Sequence, residues 1–212
     1  ANIENMPPDV VAANEAVMKH PNDPQARLQL ALALWDAKEL GASLQELTQA
    51  IELAEPNDKD FFLKAAQEYK AREAWVPAAG LYMRLAAMPK AEELPTNFEA
   101  DLHETVYRAS EKQNLPLLVP FERIDAYDPA LGHIARGRYA LYNGKLSDAR
   151  LNLAGARNIN LNMYEAFLLE AEIEMKQEKS KAARPILLSL SSDPNAPGWI
   201  RFMADTFLKT ME

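Results

Sequence analysis

The chain has 212 residues, no cysteine, 48 % hydrophobic and 25 % charged residues, and a formal net charge of −8. That length can enclose a sizeable core. The missing thiols exclude disulfides, thiol catalysis and Cys-ligated metal centres, and the acidic balance argues against a nucleic-acid partner held by bulk electrostatics. Only seven glycines interrupt a sequence rich in Ala and Leu, a mix that favours helices. No apolar run approaches the roughly 18 residues of a membrane span, and none reads as a signal peptide.

Charge is unevenly spread. Residues 1–128 hold 12 basic and 22 acidic side chains, whereas residues 129–212 hold 11 and 9. Between 129 and 160, Arg136, Arg138, Lys145, Arg150 and Arg157 face a single acid, Asp148. They form either a solvated surface or a weak anion-facing patch.

Proline punctuation sets a period. Pro21, Pro56, Pro89, Pro129 and Pro194 are separated by intervals of 35, 33, 40 and 65, the last nearly two periods. Such a period belongs to a repeat of two helices. In chain order, 7–22 reads as the second helix of a half repeat. The frame 24–57 carries Leu28, Leu32 and Trp35 at helical spacing, then Leu44, Leu47, Ala50 and Ile51. The frame 59–90 carries Phe62, Ala65, Ala66 and Tyr69, then Ala78, Tyr82 and Leu85. The frame 97–129 departs from the pattern. A longer loop is expected near 90–96, and Pro116 and Pro120 predict a short or kinked helix from about Leu117 to Ala126, since proline suits a helix's first turn and breaks its interior. The frames 130–161 and 162–195 follow, the latter with Leu169, Ile173, Ala182, Ile186 and Leu190. Residues 197–212 predict a capping helix with Trp199, Ile200, Met203 and Phe207 on its covering face. These spacings mark amphipathic helices.

The stretch RGRYALYNGKLSDARLNLAGARNIN, Arg136 to Asn160, carries the frame most clearly. Gly137, Ala149 and Ala156 are small where paired helices cross, and Gly144 falls where the chain reverses. With Leu30, Ala31, Leu34, Ala50 and Pro56 in one frame, and Phe62, Tyr69, Ala78 and Tyr82 in the next, the pattern resembles the tetratricopeptide repeat along nearly the whole chain. That resemblance implies an all-α, right-handed α-α superhelical solenoid forming one domain over 1–212, and a non-enzymatic scaffold or adaptor that binds a peptide or protein segment in its concave groove. The implied register puts Leu28, Leu32, Trp35, Leu63, Lys70, Ile134, Arg138, Leu141, Tyr142, Tyr164 and Phe167 on the concave face, with Arg138 reading an acidic group of the partner. The Lys/Asn clamp for chaperone tails is absent from that face.

Catalytic patterns are missing. His20, His103 and His133 have no metal-ligand spacing, and His103 reads as an ordinary surface residue among acids. Glu170, Glu174 and Glu178 form a stripe that reads as a solvated helix face. No cofactor, nucleic-acid partner or membrane insertion is expected, homo-oligomerisation is open, and a soluble cytoplasmic chain is favoured over an exported or tethered one. The chain starts at Ala1 with a half repeat. The alternative reading is therefore a recruiting or regulatory domain of a larger enzyme or assembly machine, possibly one anchored in a membrane.

Overall fold

A computed structural model describes residues 2–89 and 93–211. Among the described residues it is all-helical, with thirteen α-helices, a short 3-10 turn at Ile3–Asn5 and no strand. The chain forms two compact units, Ala1–Ala91 and Glu92–Glu212, where the sequence predicts one domain. The loop expected near 90–96 falls partly on residues 90–92, outside the described residues.

The first unit holds α1 (Pro8–Lys19), α2 (Pro24–Asp36), α3 (Leu40–Leu53), α4 (Lys59–Ala71) and α5 (Trp75–Ala86). Its helix starts are encoded locally. The Asp23 side chain accepts from the Gln25 N–H with Pro24 in the first turn, and the Asp58 side chain accepts from the Phe61 N–H. These carboxylates satisfy N–H groups left without an intrahelical partner. Val10 and Val17 of α1 pack with Ala26, Leu30 and Leu34 of α2. Across the pairs, the Ser43 hydroxyl donates to the Ala31 carbonyl at 2.6 Å and meets the Tyr69 hydroxyl at 2.9 Å. Arg72, the residue that caps the end of α4, grips the Asp36 carboxylate of α2 with two bonds of 2.9 and 3.1 Å. Burial pushes the Tyr69 phenol up to about 12, although its bond to Ser43 works the other way.

The second unit holds α6 (Phe98–Ala109), α7 (Leu115–Leu118), α8 (Phe121–Tyr127), α9 (Pro129–Tyr142), α10 (Leu146–Ile159), α11 (Tyr164–Lys176), α12 (Ser180–Ser192) and α13 (Gly198–Thr210). Where one short or kinked helix is expected from about Leu117 to Ala126, two short ones occur. Pro116 stands in the first turn of α7, Val119 is extended, and Pro120 is the cap residue ahead of α8. Each proline thus sits where its missing N–H costs no intrahelical bond.

The architecture is repeat-like. In the first unit α2 packs against α1 and α3, α4 packs against α5, and α2 also meets α4; in the second, the helices from α8 to α13 pack in sequence, and α6 meets α9, α9 meets α11, and α11 meets α13. One turn recurs four times. Lys38, Glu73, Gly144 and Glu178 have φ of 66°, 55°, 75° and 59°. After each, a backbone N–H bonds five residues back: Glu39 to Leu34, Ala74 to Tyr69, Lys145 to Ala140, and Lys179 to Glu174, at 2.8–2.9 Å. This is the Schellman closure of a helix end, which needs a left-handed residue. Only one of the four is glycine, and an L-residue in that region costs about 1–2 kcal/mol. Single Lys38→Gly, Glu73→Gly and Glu178→Gly substitutions are therefore expected to raise the unfolding free energy. The gain is at most about 1 kcal/mol each, because glycine adds unfolded-state entropy. Urea denaturation reads the effect, and three destabilised variants would contradict it.

The small residues of Arg136–Asn160 serve close packing. A Cβ on Gly137 would lie 3.1 Å from Leu169 Cδ2, 3.2 Å from Asn152 Cβ and 3.3 Å from the Ala149 carbonyl oxygen. At Gly137, α9 is thus pressed against both α10 and α11.

Candidate functional site

The register that ends each first helix at its left-handed residue also places the residue six positions earlier. In the first unit these are Leu32 and Gln67, and in the second they are Arg138 and Glu172. The first helices of two successive pairs, α9 and α11, therefore present opposite charges at one repeat position. Both side chains are inside the protein, Arg138 at 1 % and Glu172 at 2 % exposure.

All five N–H groups of Arg138 are engaged. Nε donates to the Glu172 carboxylate at 3.0 and 3.3 Å, and Nη2 donates to it at 3.0 Å. Nη1 donates to the Tyr107 carbonyl at 2.6 Å and the Arg108 carbonyl at 3.3 Å, while the remaining bond from Nη2, 3.3 Å long, goes to Glu111. The planar fork of arginine suits such multidentate use. Glu172 also accepts from the Tyr107 hydroxyl and, at 2.7 Å, from the Tyr142 hydroxyl. The guanidinium lies 4.5 Å from the Tyr107 ring centroid and 5.0 Å from that of Tyr142, within cation–π range.

The electrostatics follow from this geometry. Burial alone would lower the Arg138 pKa, but the adjoining Glu172 carboxylate outweighs it and holds the guanidinium charged. Burial, and then the Glu172 charge, push the Tyr107 and Tyr142 phenols up, so both remain donors at neutral pH.

Beside this network, α6, α9 and α13 leave a pocket of about 200 Å³. Arg108, Glu111, Arg138 and Tyr142 form its polar wall, and Phe202, Met203, Thr206 and Phe207 of α13 form the other. Trp199 of α13 packs on Tyr107 at 5.5 Å between ring centroids, and its indole N–H is buried without a hydrogen-bond partner.

Of the expected groove residues, Leu28, Leu32, Trp35, Leu63 and Lys70 belong to the first unit and the others to the second. Leu28, Leu32, Ile134, Arg138 and Leu141 are buried. They serve helix packing, and Arg138 reads an acidic group of the chain itself. Trp35, Leu63, Lys70, Tyr142 and Tyr164 are half-buried, and Phe167 is exposed. The structure brings Arg138 and Tyr142 together, whereas Phe167 stands apart under the Arg157 guanidinium, 5.5 Å from its ring centroid.

The basic run is also spent internally. Arg136 holds Asp125 through bonds of 2.6 and 2.5 Å. Arg157 holds Glu170 at 2.5 Å, and Arg150 reaches Glu174 at 3.5 Å. Arg150 and Arg157 of the basic run thus pair with Glu174 and Glu170 of the supposed solvated stripe between α10 and α11, while Glu178 forms the left-handed turn. Sequence reasoning overlooked Tyr107 and Glu172. The available signal for Glu172 was its offset of 34 residues from Arg138, one repeat, with the opposite charge.

His103 departs from its expected surface role. Its Nδ1 lies 3.0 Å from Glu165 Oε2, and the two side chains are 16 % and 7 % exposed. The pair ties α6 to α11, with the Tyr127 ring against the imidazole at 6.3 Å. Burial lowers the His103 pKa, but the Glu165 bond and charge, with Asp128 and Glu99, raise it overall. A raised folded-state pKa gives stability that is full below the unfolded value, about 6.5, and is lost as pH rises through the folded value. Unfolding free energy is therefore expected to decline from pH 6 upward through neutrality, with a shallower slope in His103→Gln. Equal slopes in a pH series of urea melts would remove this role.

Among the described residues no His, Cys, Asp and Glu group could hold a metal ion, and no helix is long and apolar enough to cross a membrane. No protein-family model, curated protein or solved structure matches the chain.

Proposed function

We propose that the chain is a non-enzymatic protein-interaction scaffold, a right-handed solenoid of tetratricopeptide-type helix pairs that receives a protein or peptide segment along its first-helix faces. The observation that carries this reading is the fourfold recurrence of one left-handed turn with one hydrogen-bond closure, joined to the packing of first helix on first helix. Repeats of this kind gain extended faces by stacking. The accessible part of the expected face is Trp35, Leu63 and Lys70 in one unit and Tyr142, Tyr164 and Phe167 in the other. Aromatic residues are favoured anchors at protein interfaces.

The test is affinity capture from lysate with the wild type beside a Trp35→Ala, Phe167→Ala variant whose melting is unchanged. A partner held by the wild type and lost by the variant supports the reading. Equal capture by both moves binding away from the first-helix faces.

A further inference from the structure

We propose that the solvent-facing side of α12 docks the exposed end of α3 in a second copy of the chain, so that the protein self-associates weakly through opposite charges and a small apolar contact. This goes beyond the scaffold reading and does not rest on it, because it is read on the purified chain alone.

α12 buries Ala183, Leu187 and Leu190 and turns Lys181, Arg184, Pro185 and Leu188 outward. Those four lie at i, i+3, i+4 and i+7, one stripe of the helix. Its two cations are uncompensated. No acid occurs from Lys179 to Ser192. The helices packed on α12 are α11 and α13, and their carboxylates are committed elsewhere. The four acids of α11 hold His103, Arg157, Arg138 and Arg150, and Asp205 of α13 holds Lys209. Asp193, just past α12, accepts from the Tyr164 hydroxyl. Leu188 adds an apolar side chain that is 47 % exposed.

α3 carries the reverse pattern. No base occurs between Lys38 and Lys59, and Glu52 and Glu55 are exposed with Leu53, 37 % exposed, between them. α2, against which α3 packs, has one guanidinium, Arg27, and it is spent on Glu46. Among the described residues, Glu52, Glu55, Lys181 and Arg184 form no ion pair. Neither set of charges serves its own helix. Lys181 stands in the first turn of α12 and Glu52 in the last turn of α3, the ends where the macrodipole disfavours those signs.

The two faces complement each other. Two cations beside Pro185 and Leu188 answer two carboxylates beside Leu53, and such matching of sign steers association. Each face is exposed in the single chain, so a second copy can supply the missing half. An anionic lipid surface is the poorer occupant, because the whole chain carries a net charge of −8 and is repelled by it. Two exposed ion pairs and a few apolar side chains make a small contact of the transient class.

The experiment is sedimentation velocity of the full chain at about 0.01 M and about 1 M ionic strength, where the Debye length is about 30 Å and about 3 Å. At low salt the weight-average mass is expected to rise above that of one chain as the concentration approaches about 1 mM, and at high salt it is not. Lys181→Glu with Arg184→Glu, and Glu52→Lys with Glu55→Lys, are each expected to stay monomeric, while an equimolar mixture of the two variants regains association. All four side chains face solvent, and each reversal moves its helix end toward the sign that the macrodipole favours, so both variants should melt at or above the wild type. The second variant also separates docking from bulk repulsion. Its two exchanges, each adding two positive charges, bring the net charge from −8 to −4. Bulk repulsion alone would then promote association, whereas loss is expected here. A monomeric wild type at low salt, association that survives high salt, either variant associating as the wild type does, or a mixture that stays monomeric would overturn the proposal. So would a monomeric wild type that cosediments with phosphatidylserine vesicles through Lys181 and Arg184, which would assign the α12 face to a lipid surface.

Discussion

Arg138→Met is expected to lower the unfolding free energy by about 3–5 kcal/mol, the cost of leaving a buried charge without its partner. The reasons are local. Glu172 is 2 % exposed and would keep only two phenols, neither able to neutralise it. The Tyr107 and Arg108 carbonyls would lose their donor as well. Glu172→Met should cost less, because the guanidinium keeps Glu111 and the Tyr107 and Arg108 carbonyls as acceptors. The informative variant is the double one. Arg138→Met with Glu172→Met replaces the ion pair by apolar volume, a change that is often neutral or stabilising, so it should be more stable than either single variant. A double-mutant cycle by urea unfolding then gives a large coupling between the sites. Tyr107→Phe and Tyr142→Phe remove one hydrogen bond each and should cost about 1 kcal/mol. Single charge deletions costing under about 1 kcal/mol would mean that water reaches the pair.

The helix pairs were legible because their signals are local. Asp23 before Pro24 and Asp128 before Pro129 place helix starts. Gly144 marks a reversal through its positive φ. Lys38, Glu73 and Glu178 make the same reversal without glycine, so the turn was visible once and concealed three times. Pro116 and Pro120 announced the break in the third frame, although each proline starts a separate short helix there. The site was harder to read, because its sense depends on side-chain partners far apart in sequence. An arginine at a concave repeat position looks like a ligand reader until the acid one repeat later is set beside it. Arg157 and Glu170, or His103 and Glu165, look solvated for the same reason. Each is polar on its own helix and loses that water only when the next pair docks. Within the second unit, polarity at first-helix positions is used to join helices, whereas Leu28 and Leu32 of the first unit join them by apolar packing.

Close helix crossing makes the second large prediction. Ala149 and Ala156 have no exposed surface, and the Ala149 carbonyl oxygen would stand 3.3 Å from a Cβ on Gly137. The backbones of α9 and α10 therefore approach within the thickness of one methyl group at Gly137. Ala149→Leu and Ala156→Leu should each cost about 1–3 kcal/mol through overpacking, in spite of leucine's good helix propensity. The two sites also differ from a surface change on the same helix. Leu151 is 73 % exposed, and Leu151→Ala should stay within about 0.5 kcal/mol of the wild type. Gly137→Ala probes the other side of the crossing. Its methyl would push on flexible Leu169 Cδ2 at 3.1 Å but also on Asn152 Cβ and the α10 backbone. The helix propensity that alanine gains, about 1 kcal/mol, is thus offset by strain, and little net stabilisation is expected. Thermal melts of the four variants decide the matter. If Ala149→Leu and Ala156→Leu melt with the wild type, the small residues are not what holds α9 close to α10.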